Sequence, residues 1–399
     1  MGIPVPPVPQ FPPSEHTLSD VKGLRAAGVR AGIKASGNPD VGLLVADAPM
    51  ACAGVFTQNH FAAAPVLLSK SHLQKSGGLV RALIVNSGNA NACTGEQGDR
   101  DAAEMAQHVA TAVGCPVDQV LVCSTGVIGQ KLPMPKVRAG IDAAFAALSS
   151  EPAAGRRFLE AIMTTDAYPK EASATAGEGV VAGVCKGAGM IAPDMATMLA
   201  FVATNLDASS AELSKAVGAI AARSFNAVHV DSHTSTNDTF LVFSTRARKG
   251  EWTTPVATVA QRLAWLIARD GEGATKVTTI EVRGAFDDAA AKSIARQVAT
   301  SALVRTALFG NDPNWGRFVS QVGNCREVKN AHSLVCTLQG LEVFRAGEPT
   351  PFDRSAASKA MAVEDVRLAL TLADGKGEAV LMTADLGYRY VEVNAEYTT

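Results

Sequence analysis

The stretch KGAGMIAPDMATMLAF, residues 186–201, is the part of the sequence that most restricts the fold. Glycines and a proline come first, and the step Ala196–Thr197–Met198 then leads into an apolar run. A buried strand would favour Val or Ile at Thr197, and a helix would place its capping hydroxyl outside the apolar run. Thr197 is therefore either a hydroxyl satisfied at the edge of an element or a nucleophile, and packing physics alone favours the first interpretation.

A nucleophilic role for Thr197 would require a base beside its hydroxyl. One known solution is a threonine at a chain N-terminus, whose own α-amine serves as that base. An internal threonine acquires such an amine only when the preceding bond, Ala196–Thr197, is cut. The small residues before that bond permit the tight backbone that a cut requires, so the sequence is compatible with self-cleavage.

The composition restricts the class of protein. The chain has 399 residues, of which 47% are hydrophobic, which is enough for several layers of core and for more than one domain. The net charge of −2 and the 5% aromatic content favour neither nucleic acid nor an anionic membrane as a partner. Apolar runs are shorter than the roughly 20 residues of a membrane span. The seven cysteines form no CxxC pair, so we expect a soluble protein of the reducing cytoplasm without a zinc knuckle.

Apolar strands alternate with alanine-rich helices along the chain, which predicts a layered α/β fold with mixed sheets. The C-terminal stretch 379–399 is predicted as two strands and a short tail. The predicted strands are 81–88, 119–129 (running into a loop), 179–187, 238–245 and 276–284, and the predicted helices are 99–114, 136–149, 154–163, 209–225 and 255–268.

Three polar motifs have residue types that could take part in catalysis or ligand binding. CSTGVIG, residues 123–129, is either an ordinary Ser/Thr-Gly turn or an oxyanion hole, since a hydroxyl and a backbone N–H can point at one spot there. HVDSH, residues 229–233, offers too few clustered ligands for a metal and is better interpreted as a polar turn. GEGATK, residues 271–276, lacks the spacing of a phosphate loop and leaves Glu272 unexplained.

The stretch 186–201 resembles the cleavage site of the ornithine acetyltransferase (glutamate N-acetyltransferase) family of arginine biosynthesis. Further blocks resemble that family in the same order, from about residue 30 to the end of the chain. They are NSGNANACTG (86–95), CSTGVIG (123–129), TTDAYPKEA (164–172), HTSTND (233–238), GEGATK (271–276), FGNDPNWGR (309–317) and VNAEYTT (393–399). Their joint order is much more specific than any single block.

The resemblance implies a self-processing fold similar to that of N-terminal-nucleophile aminopeptidases. It implies cleavage into an α chain, residues 1–196, and a β chain, residues 197–399, which assemble as a heterotetramer of two α and two β chains. Thr197 would attack the Ala196 carbonyl and later the acetyl group of N-acetylornithine, while Thr125 and Gly126 stabilise the oxyanion. Glutamate would then take the acetyl group from the enzyme in a ping-pong cycle.

The resemblance also implies the substrate contacts. These are Lys186, Glu272, Asn394, Thr399 and one member of the pair Thr164/Thr165, together with Thr197 itself. Lys186 suits a substrate carboxylate and Glu272 suits an ammonium group. The resemblance implies no metal and no cofactor, and it leaves open whether acetyl-CoA is a second acetyl donor.

Two positions depart from the family pattern. Ser232 and His233 stand where a Gly-Asp pair is expected, so no family role is assigned to them. Asp194 stands where Asn is common, a change that should preserve packing but bears on the cleavage rate. Two alternative functions remain: a self-cleaving aminopeptidase or amidase that passes the acyl group to water, and a binding module whose Ala196–Thr197 bond stays intact.

Overall fold

The structure is a computed structural model that describes residues 14–192 and 198–396. The chain divides into two compact units. The larger unit contains residues 14–192, 198–226 and 233–267, and the smaller unit contains residues 227–232 and 268–396. Ala196, Thr197, Thr399 and Asp194 lie outside the described residues, and so does the predicted cleavage bond.

The larger unit is built on one mixed sheet with the strand order β4-β3-β2-β9-β7-β6-β5, and β1 pairs with part of β2. Its strands are β1 Leu24–Val29, β2 Val41–Phe56, β3 Leu79–Asn89, β4 Val120–Val127, β5 Lys170–Ala176, β6 Gly179–Lys186, β7 Leu199–Leu206 and β9 Thr239–Arg248. Its helices are α1 Ala64–Lys75, α2 Gly95–Val113, α3 Met134–Ala146, α4 Pro152–Ile162, α5 Ser210–Ala222 and most of α6 Thr253–Arg269.

Side chains of this sheet pack into two hydrophobic cores, one on each face, because successive residues of a strand point to opposite faces. Leu83 and Leu121 are buried on one face with Phe158 of α4. Ile84 and Val122 are buried on the other face with side chains of α2 and α3. The sheet therefore lies between helical layers, and this confirms the predicted α/β sandwich.

The smaller unit has its own sheet, in the order β13-β12-β11-β14-β10-β15-β8. Its strands are β8 Val228–His229, β10 Val277–Ala285, β11 Val335–Leu338, β12 Leu341–Arg345, β13 Glu348–Pro349, β14 Asp365–Thr371 and β15 Gly377–Ala384. Its helices are α7 Asp288–Thr300, α8 Ala302–Phe309, α9 Trp315–Gly323, α10 Arg354–Met361 and α11 Tyr388–Glu396. Ile280 and Val282 of β10 share one buried core with Ile294 and Val298 of α7 and Phe318 of α9.

The predicted strands and helices are found within a few residues of their expected bounds, except at the C-terminus. Of the two strands predicted in 379–399, the first is found as β15, but the second was wrong, because helix α11 follows β15. Tyr and Val favour strands intrinsically. Within α11, Tyr390 and Val393 are instead the half-buried positions, at the i, i+3 spacing of one helix face. No helix among residues 14–192 and 198–396 has the length and apolar character needed to cross a membrane.

Candidate active site

The backbone at Thr125 and Gly126 is packed directly against strand β3. β3 and β4 run parallel, with Ser87 opposite Thr125 and Gly88 opposite Gly126, and their register shifts at this point. Gly126 has φ +133°, and a Cβ atom there would lie 2.3 Å from the Gly88 carbonyl carbon. Only glycine fits this bulge. Strand β4 therefore continues through Thr125 and Gly126 and ends at Val127, and Thr125 is 4% exposed within it.

Asn237 fixes the residue that precedes Thr125. Its side-chain amide Nδ2 donates to the carbonyl oxygen of Ser124 at 2.8 Å and to that of Ala90 at 2.7 Å. Asn237 is buried, so both hydrogen bonds are shielded from water. The carbonyl that leads into the candidate oxyanion residues is thereby tied to the loop before β9.

Asp238 fixes the residue that follows Thr197 in the chain. Its Oδ1 accepts the Met198 backbone N–H at 2.9 Å, and the Thr239 N–H donates to the Met198 carbonyl oxygen at 3.0 Å. The parallel pairing of β7 with β9 begins at the next residue, Leu199. Burial raises the pKa of Asp238 well above its usual value, although the Met198 N–H and the charge of Lys186 act in the opposite direction.

Lys186, at the end of β6, belongs to a buried group of charges around Asp166. Asp166 Oδ1 accepts from Lys170 Nζ at 2.5 Å and from the Gly187 N–H at 2.8 Å, and its Oδ2 accepts the Thr164 N–H at 2.8 Å. Burial raises the pKa of Asp166, but the charges of Lys170 and Lys186 and the hydrogen bonds outweigh it, and the net pKa is lowered. Two predicted contacts, Lys186 and the Thr164/Thr165 pair, thus lie around one carboxylate.

Lys34, which belongs to no sequence motif, lies between this charged group and the glycine bulge. Its Nζ donates to the Pro39 carbonyl oxygen at 2.7 Å. Its stem packs on Gly88, where an added Cβ would lie 3.0 Å from Lys34 Cγ. Burial lowers the pKa of Lys34 to about 8, with Asp40 and Asp166 raising it and Lys186 lowering it further.

In the smaller unit, the structure brings the Glu272 turn and helix α11 together. Asp385 accepts the Thr275 backbone N–H at 2.8 Å, and Gly273 packs on the backbone N of Tyr390 in α11. Asn394 lies one helical turn further on, exposed, with its Nδ2 donating to the Tyr390 carbonyl oxygen at 3.0 Å. Both predicted contacts of this unit thus stand on elements that touch each other.

His229 shows what the HVDSH motif does. Its Nδ1 lies 3.1 Å from the Thr383 hydroxyl and its Nε2 lies 2.8 Å from the Ser232 hydroxyl. Burial lowers its pKa to about 3, and the nearby Arg305 and Arg296 contribute. His229 is thus a hydrogen-bonded core histidine of strand β8 rather than a residue of a polar turn.

Comparison with known proteins identifies the family of the chain. The ArgJ family model matches residues 25–399. The arginine biosynthesis bifunctional protein ArgJ of Rhodopirellula baltica is 43% identical, over 97% of this chain and 98% of that protein. Its namesake from Thermosynechococcus vestitus is 41% identical, over 96% of this chain and 98% of that protein. A crystal structure of ornithine acetyltransferase from Mycobacterium tuberculosis in complex with ornithine is 41% identical, with a TM-score of 0.43, over 46% of this chain and 96% of that chain. The chain belongs to the ArgJ family.

Proposed function

We propose that this chain transfers the acetyl group of N-acetylornithine to glutamate in arginine biosynthesis, giving ornithine and N-acetylglutamate. Its membership of the ArgJ family supports the reaction class. The observation that carries the assignment of the site is the paired anchoring of Ser124, before Thr125, and Met198, after Thr197, by one loop of the larger unit. That anchoring suits a reaction in which a nucleophile and an oxyanion hole must keep a fixed separation.

Maturation would begin with attack of Thr197 Oγ1 on the Ala196 carbonyl carbon. The peptide C–N bond breaks as the acyl group moves to the hydroxyl oxygen, and the nitrogen takes the proton. Water then hydrolyses the ester and leaves Ala196 with a carboxylate. The freed α-amine of Thr197 has an unperturbed pKa of about 7.7–8.0, which suits a base near neutral pH.

In turnover the same hydroxyl would attack the acetyl carbonyl of N-acetylornithine, and its proton would pass through the α-amine to the leaving amine of ornithine. The Thr125 hydroxyl and the Gly126 N–H would stabilise the negative charge on the oxygen. The glutamate amine then attacks the acetyl-threonine ester and releases N-acetylglutamate. The cycle is balanced without a metal or cofactor.

Substrate recognition would use charged and polar side chains. Lys186 would bind a substrate carboxylate, with Thr164 or Thr165 beside it, and Glu272 would bind an ammonium group. Asn394 and Thr399 would donate and accept hydrogen bonds at the amino-acid end of the substrate.

Three further properties belong to the same proposal. We propose a heterotetramer of two α and two β chains in the cytoplasm. The relatives are named bifunctional, which supports acetyl-CoA as a second acetyl donor to glutamate. Assays that pair glutamate with N-acetylornithine or with acetyl-CoA measure the two activities separately.

Thr197→Ala tests the nucleophile. The wild-type chain should appear as two fragments on a denaturing gel and transfer acetyl groups to glutamate without net release of acetate. The variant should stay as one polypeptide without transfer, because it lacks the attacking hydroxyl, and Thr197→Ser serves as the control that keeps it. Two fragments from the alanine variant would contradict the cleavage mechanism. Acetate release by the wild-type protein without transfer would instead identify a hydrolase.

A further inference from the structure

Two adjacent residues, Asn237 and Asp238, touch both sides of the candidate site. They end the HTSTND block immediately before β9, and neither has a role in the reaction described above. We propose that Asn237 and Asp238 are positioning residues that hold the nucleophile at a fixed distance from the oxyanion hole. This inference rests on the proposed function.

The Asn237 side acts on the oxyanion residues. A single amide group, Asn237 Nδ2, bridges the carbonyl oxygens of Ala90 and Ser124, which belong to neighbouring segments that follow β3 and form β4. The Ser124 carbonyl belongs to the peptide unit whose nitrogen is that of Thr125. Fixing this peptide plane fixes the backbone from which the Thr125 side chain and the Gly126 N–H project.

The Asp238 side acts on the nucleophile. The Met198 N–H that it accepts at 2.9 Å belongs to the peptide unit whose carbonyl is that of Thr197. The Met198 carbonyl is held at the same time by the Thr239 N–H, so the residue after Thr197 is fixed at both ends. This hydrogen bond does not depend on the bond that precedes Thr197. We therefore expect it to persist in the two-chain form and to serve both cleavage and transfer.

Because Asn237 and Asp238 are neighbours in the chain, they restrict the distance between the two segments that they anchor. Asn237 and Asp238 share one planar peptide bond, so the two anchored peptide planes can separate only if side-chain or backbone dihedral angles of this buried pair change. The loop is itself held: the Asp238 carbonyl oxygen accepts the Thr57 N–H at 2.9 Å, and the Thr236 carbonyl oxygen accepts the Ala63 N–H at 2.9 Å. A displacement of about 1 Å between reacting groups can lower the rate about 10²-fold, so loss of this positioning should lower kcat.

Two substitutions at Asp238 separate geometry from charge. Asp238→Asn keeps an oxygen where Oδ1 accepts the Met198 N–H, and it resembles the buried group because burial favours the neutral form of Asp238. Asp238→Glu keeps the acid but moves it by one methylene. Positioning predicts that the Asn variant keeps at least about a third of the wild-type kcat, whereas the Glu variant loses about 10²-fold with KM changed less than about twofold.

The measurements are the rate of appearance of two fragments, kcat per titrated active site, KM for both substrates, and the melting temperature. Normalising kcat to active sites removes a loss that comes only from unfolded protein. Asn237→Ser is a second variant that tests the proposal even if Asp238→Glu does not fold. It should lower kcat per site about tenfold at unchanged KM, because Ser cannot bridge both carbonyls.

The outcomes are distinct. A higher kcat for Asp238→Glu than for Asp238→Asn would show that Asp238 acts through its charge and would contradict the positioning role. Folded Glu and Ser variants with a wild-type kcat per site would reduce the pair to packing and would also overturn it. A wild-type protein that neither cuts nor transfers would contradict the proposed function itself, whatever the variants do.

Discussion

Gly126, which packs on Gly88 in the larger unit, and Asn394, on helix α11 of the smaller unit, are both given roles by resemblance, yet the two regions around them differ in physical character. At Gly126 the backbone of one strand presses on another, and the neighbouring polar groups are buried and hydrogen-bonded. Helix α11 buries no residue, and Tyr388 at its start is 87% exposed. The first region can hold charge in a fixed geometry, whereas the second can supply contacts to a ligand with little effect on stability.

The largest expected effect is on turnover, at Thr125. Thr125→Ala should lower kcat by about 10²–10³, the usual loss for one oxyanion donor, with little change in KM. Steady-state kinetics with N-acetylornithine and glutamate measure it. Thr125→Ser, which keeps the hydroxyl, should retain most of the activity. A loss confined to KM would show that the buried region only packs.

The next effect is on stability, at Gly126. A Cβ there would meet the backbone of Gly88 at 2.3 Å and that of Asn89 at 2.4 Å, and backbone atoms cannot rotate away. Gly126→Ala should therefore lower the free energy of unfolding by about 3 kcal/mol, measured by urea denaturation. Gly129 is the matched control, because it also has a positive φ, +81°, but an added Cβ there would meet no atom within 4 Å. Gly129→Ala should cost only about 1 kcal/mol, and equal losses at the two positions would contradict the packing argument.

Much of the larger unit could be predicted because its signals are local. Helix and strand periods set the sheet layers, and the order of the glycine-rich blocks identified the family. The asparagine and aspartate before β9 were visible as polar residues next to an apolar strand. Their partners, Ser124 and Met198, are 113 and 40 residues away in the chain, so no local pattern could pair them.

The errors have a similar physical origin. Lys34 carries no motif, and its lowered pKa arises mainly from burial, with the distant Lys186 lowering it further and Asp40 and Asp166 acting in the opposite direction. Helix α11 was predicted as a strand because Tyr and Val alternate there. Its packing on Gly273 decides otherwise, and the Arg389–Glu392 ion pair at i, i+3 adds support on the exposed face. Tertiary contacts thus override propensity in an exposed segment as well as in a buried one.

Asn394 tests the exposed side of the comparison. Asn394→Ala should raise KM for N-acetylornithine about tenfold, the equivalent of one hydrogen bond to a charged group, and leave kcat and self-cleavage unchanged. Its stability should stay within about 0.5 kcal/mol of the wild type, since the side chain is exposed. Glu396→Ala, on the same turn of α11, is the control and should leave KM unaltered. If Asn394→Ala blocked self-cleavage or lost stability, α11 would have a structural role like that of the buried region.

The smallest effect concerns the charge of Lys34. Burial lowers its pKa in the folded protein to about 8, whereas an unfolded lysine has a pKa of about 10.4. Between these values the unfolded chain binds more protons than the folded chain, so the contribution of Lys34 makes the free energy of unfolding rise with pH. Partial exposure screens the effect, and we expect the free energy of unfolding to rise by about 1 kcal/mol between pH 8 and 9.5, a rise that Lys34→Met removes.

Lys136 is the matched control, because its exposed ammonium donates to the Gly32 carbonyl oxygen of the same loop at 2.7 Å. Lys136→Met should keep the wild-type pH profile in urea denaturation. If Lys34→Met also kept that profile, the charges around Asp166 would be as well hydrated as those on α11, and the contrast between the two regions would not extend to electrostatics.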